Sequence, residues 1–156
     1  MKSMTEPVSA FSQQLNGNFA GVLHWQQLDA LWRQVLAKPE GWYASQIGEV
    51  VPESTLDTDA LNRFIAEVDT LLRHEHQHDY CGIVYVDNRE QPGFIKIYDP
   101  HNLGSFCSHG GATILPRWVL SRIKPERFEE DAPLPGSRQR WWQRMFGRNT
   151  HTTADS

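Results

Sequence analysis

Two short apolar runs, YCGIVYV at residues 80–86 and FIKIY at residues 94–98, are separated by the polar segment DNREQPG. β-Branched and aromatic side chains suit a pleated, half-buried surface, and Pro92-Gly93 is turn chemistry, so the stretch reads as a β-hairpin. A third segment, ILPRWVLSRI at residues 114–123, comes after a loop with no helical crossover between. Pro116 has no N–H to give to a ladder, so this segment fits an edge strand or one that starts after the proline, with a short helix as the competing assignment. Parallel neighbours need a long crossover connection, so this order of segments calls for antiparallel pairing.

Upstream of the hairpin the apolar period changes. Trp25, Leu28, Leu31, Trp32, Val35 and Leu36 fall at helical spacing, and Pro39, Glu40 and Gly41 stop that helix. Leu61, Phe64, Ile65, Val68, Leu71 and Leu72 make a second amphipathic helix over about residues 58–73, with Asp57 or Thr58 at its start. Between them, WYASQIGEVV at residues 42–51 alternates with Tyr43, Ile47 and Val51 on one side and reads as a strand that Pro52 ends. The simplest packing of these stripes is an α+β domain, a mainly antiparallel sheet of about four strands with two amphipathic helices on one face. Residues 1–21 are polar and without period, and are expected to be a mobile arm. Residues 22–124 then form the single domain and residues 125–136, with three prolines and an acidic run, a linker. An amphipathic Arg/Trp segment spans 137–148, and residues 149–156 are expected to be a disordered end.

A chain of 156 residues can bury a real core without disulfide staples. Its net charge of −4 is uneven: from residue 132 onward four Arg face one Asp, a charge of +3, which leaves −7 for residues 1–131. An acidic body argues against nucleic-acid binding, which needs a basic footprint against phosphate. No apolar run reaches the roughly 18–20 residues of a membrane span, and the N-terminus has no apolar signal region. With Cys81 and Cys107 as its only cysteines, the chain is expected to be cytoplasmic with reduced thiols. Dinucleotide, P-loop, nucleophile-elbow and HExxH signatures are all lacking.

Four groups of residues could carry chemistry. His74, His76 and His78 alternate in RHEHQHDYC, a spacing that puts three imidazoles on one side of an extended chain or His74 and His78 one turn apart on a helix. Either arrangement could hold zinc or another transition metal; the competing reading is a solvated helix end, where histidine complements the dipole. In the loop DPHNLGSFCSHGG, His101, Cys107 and His109 are a second candidate ligand set. Alternatively Cys107 is a nucleophile with His101 or His109 as its base and Asp99 or Asn102 orienting the ring, or the loop is turn chemistry only. Cys81 reads as a packed core thiol. Finally, SRQRWWQRMFGR puts Trp141, Trp142, Met145 and Phe146 on one helical face and Arg140, Arg144 and Arg148 on another. That is the pattern of a helix docking on a partner's groove or at the inner face of a membrane, or of one folded back on its own body.

The sequence therefore points first to a small non-catalytic accessory protein that binds a protein partner, with no resident cofactor. The alternative is a metal- or thiol-dependent enzyme, or a metal-binding module, centred on His101, Cys107 and His109.

Overall fold

The computed structural model describes residues 10–47, 49, 51–101, 115–126 and 136–146. Their elements run α1 (Ala10–Leu15), β1 (Ala20–Val22), α2 (Trp25–Ala37), β2 (Tyr43–Gln46), α3 (Thr58–Glu75), β3 (Val84–Val86), β4 (Phe94–Ile97), β5 (Trp118–Ser121) and α4 (Gly136–Phe146). The strands form one antiparallel sheet in the order β1-β3-β4-β5-β2. The α+β class and the antiparallel sheet are as the segment order demands, with five strands in place of about four.

The hairpin β3-β4 closes on a polar turn that one carboxylate organises. Asp87 Oδ1 accepts the N–H groups of Asn88, Gly93 and Phe94 at 2.8, 3.0 and 3.1 Å, while Asn88 Oδ1 accepts those of Glu90 and Gln91. β5 starts at Trp118, beyond Pro116, which keeps the proline out of the ladder. At the other end of β3, Val22 pairs with Val84, yet its carbonyl receives the N–H of Gly82 at 2.9 Å. The extra length is taken up at Gly82, whose φ of 71° is left-handed and suits glycine.

One face of the sheet carries Val84 and Val86, Ile95 and Ile97, Trp118 and Leu120, and Ala44, paired across the strands in register. These side chains make one core with Leu28, Leu31, Trp32 and Val35 of α2 and the full apolar stripe of α3. α3 starts where the sequence suggests, with the Asp57 side chain accepting the Ala60 N–H at 2.8 Å. A polar clasp joins the two helices: Asp69 accepts from Trp32 Nε1 and from Arg73, which also reaches Asp29 at 2.7 Å. The opposite face is covered as well. Phe94 and Val119 pack there with Phe11 and Leu15 of α1 and with Ile47, the Phe11 and Phe94 rings 5.2 Å apart.

Residues 10–21, placed in the expected mobile arm, supply α1 and, with Val22, the edge strand β1. Helix cover is also not confined to one face. The reason is tertiary: α1 buries only two side chains, Phe11 and Leu15, and β1 is three residues long, so neither has a local period. Each is defined by the sheet surface or edge it meets.

Candidate functional site

Four charged side chains, Glu75, Asp99, Arg117 and Arg138, meet where α4 joins the body. Asp99, just past the end of β4, is 2% exposed, and all four of its acceptor positions are used. Oδ1 accepts the His101 N–H at 2.9 Å and Arg138 Nη2 at 2.9 Å; Oδ2 accepts Arg138 Nε at 3.0 Å and Arg117 Nε at 3.2 Å. The other edge of the Arg138 guanidinium grips Glu75, at the end of α3, with Nη2 to Oε1 at 2.6 Å and Nη1 to Oε2 at 3.1 Å. One arginine of α4 is thereby held in two bidentate contacts to two carboxylates, the strong geometry for this pair. Burial alone would raise the Asp99 carboxyl, but the hydrogen bonds from Arg138 and His101 and the charges of Arg138 and Arg117 hold it below the usual carboxylate range. A carboxylate so engaged is a fixed structural anion, with no free lone pair to orient an imidazole.

From Arg138 the helix continues its contact through Trp141, Trp142 and Met145, all buried. The spacing 138, 141, 142, 145 is one helical stripe with a charged residue at its head. Trp141 lies 5.3 Å from Trp118 of β5, and Trp142 packs edge-on to Phe64 of α3 at 6.2 Å and 4.5 Å from Phe146. The aromatic face on which partner or membrane docking was expected to rest is therefore packed into this domain's own core. Arg140 and Arg144 remain exposed on the other side, and Arg63 of α3 donates to the Arg144 carbonyl at 3.4 Å. Arg148 lies outside the described residues.

The three alternating histidines are separated by their burial. His74 is exposed on α3 and lines the cleft between α3 and α4. His76, which caps α3, turns inward, where its Nε2 meets the Cys81 carbonyl at 2.8 Å and so carries the proton of that hydrogen bond. The rings of His76 and His78 are 4.5 Å apart, beside Trp25, whose Nε1 donates to the His78 carbonyl. Burial pushes the His76 imidazole below the ordinary histidine value, the Cys81 carbonyl opposes this, and the charge of His78 adds to the lowering. Cys81 itself is 1% exposed, and burial pushes its thiol up, away from the activated thiolate range. Of the candidate loop set, His101 is exposed, whereas Cys107 and His109 lie outside the described residues. Among the described residues no group of three His, Cys, Asp or Glu side chains is placed to hold a metal ion, and no helix is long and apolar enough to cross a membrane.

No family model, curated protein or solved structure matches this chain. Arg138 belongs to neither face of the amphipathic segment as read from the sequence, yet it is the residue that ties α4 down. Its place three residues before Trp141, in step with the apolar stripe, was the available signal.

Proposed function

We propose that this protein is a small non-catalytic accessory protein that binds an acidic segment of a protein partner on its α3–α4 side. The observation that carries the reading is the sorting of side chains on α4. Arg138, Trp141, Trp142 and Met145 are buried in the body, while Arg140 and Arg144 stand exposed one turn apart next to Arg63. Three guanidinium groups, with Glu67 and the Arg138-paired Glu75 beside them, leave a local positive balance on one side of a chain whose net charge is −4. Such a patch suits carboxylates on a partner, because arginine pairs with them in planar, two-bonded geometry and a local charge opposite to its surroundings guides the encounter. Trp141, Trp142 and Met145 support this surface from behind by fixing the helix. For them to reach a partner's groove or a lipid surface, they would first have to leave the core.

Affinity capture with the full chain from its native cell extract provides the test. Changing Arg140→Glu and Arg144→Glu together is expected to weaken partner retention by about tenfold or more, with the loss greatest at low salt. The helical signal and thermal midpoint should be unchanged, since both side chains are exposed. A partner retained equally by the double variant would overturn the reading, and so would strong binding to anionic vesicles with no protein partner.

A further inference from the structure

A cleft of about 530 Å³, lined by residues of α2, β1, β3 and the β3–β4 turn, runs between α2 and the β1–β3 edge of the sheet. Its floor is Val22, Leu31 and Val86, all buried. One wall is kept low by two alanines of α2, Ala30 and Ala37, so space that larger side chains would fill stays open. The volume falls in the range of small-molecule sites, roughly 300–1,000 Å³.

The rim carries two cations and no acid. Arg33 projects from α2 and Arg89 from the β3–β4 turn, and every other lining residue is neutral. Neither arginine has an ion-pair partner among the described residues, although the body of this chain is acidic. Arg89 Nη2 donates to the Gly21 carbonyl at 2.8 Å, which anchors its guanidinium beside the cleft and leaves its remaining N–H groups for an anion. The same bond occupies the carbonyl of the short edge strand β1, which removes the acceptor that an added peptide strand would use.

We propose that this cleft binds a small amphipathic carboxylate, with its apolar body along Ala30 and Ala37 of α2 above the Val22, Leu31 and Val86 floor and its headgroup at the Arg33 and Arg89 rim. The apolar lining takes the body of the acid, and the two guanidinium groups on its rim match the carboxylate. A neutral apolar ligand would gain nothing from that rim. The site is independent of the α3–α4 surface.

The test is a calorimetric titration of the full chain with octanoate, using octanol as the uncharged probe. Octanoate is expected to bind saturably at one per chain and octanol at least about tenfold more weakly, the scale of one charge-assisted contact. Arg33→Ala should weaken octanoate by a similar factor, and Ala37→Phe, which adds bulk at an exposed position of the wall, should abolish binding with the thermal midpoint retained. Arg140→Glu with Arg144→Glu should leave octanoate binding unchanged. Absence of saturable octanoate binding, equal affinity for octanol, or indifference to Arg33→Ala and Ala37→Phe would each overturn the proposal. Displacement of octanoate by an acidic apolar peptide with higher affinity would also overturn it, by giving the cleft to a macromolecular partner.

Discussion

Arg138 is held by Asp99 on one edge and Glu75 on the other, with its side chain 6% and that of Asp99 1% exposed. Replacing it with alanine leaves a buried carboxylate with Arg117 and the His101 N–H as its remaining partners among the described residues. Removing one member of a buried pair costs on the order of 3–5 kcal/mol, because the remaining charge stays desolvated. Arg138→Ala is therefore expected to lower the urea midpoint by that equivalent, and Arg138→Lys to recover only part, since an ammonium cannot bond both carboxylates in planar pairs. An unchanged midpoint in Arg138→Ala would mean that α4 is held by its aromatic side chains alone. His76 makes a pH-dependent contribution. Its proton is held more weakly in the folded state, so the unfolded chain binds more protons below the ordinary histidine value of about 6.5. Stability should then fall as pH drops from about 6.5 toward the lower folded value, and His76→Gln should flatten the thermal midpoint in that window. None of these contacts has a local signature: Asp99 and Arg138 are 39 residues apart, and a turn-forming Asp-Pro gives no hint of two arginine partners.

At the scale of elements, α2 and α3 are legible because six apolar side chains at helical spacing can only be buried on one side of a helix. α4 is half legible. Its amphipathicity is plain in residues 137–146, but whether the apolar face meets its own body or another surface depends on a complementary site. Trp118 and Phe64 supply that site. The Trp142→Ala change should consequently cost about 3–5 kcal/mol in denaturant unfolding, with Trp142→Phe costing much less. An effect below about 1 kcal/mol would show that the helix rests loosely on α3. α1 and β1 are illegible for the converse reason, since two buried side chains in six residues and a three-residue Ala-Gly-Val strand lie below any periodic signal. Their context comes from Phe94 on the sheet face and from the edge of β3.

At the scale of the whole molecule, the sequence by itself determined the class: an acidic α+β domain with two amphipathic helices and a central hairpin. It also determined that the strands pair antiparallel, because no crossover separates the hairpin from β5. These features depend on contacts close along the chain, where period and turn chemistry act directly. Only the tertiary structure decided the order β1-β3-β4-β5-β2, the cover of both sheet faces, the separation of His74 from His76 and His78, and the capture of α4 by Asp99 and Glu75. The cleft between α2 and the β1–β3 edge belongs to the same group, since Arg33 and Arg89 are 56 residues apart in the chain and come to one rim only through it. Such pairings are fixed by which buried surfaces and charges find each other in three dimensions, and no local pattern records that choice.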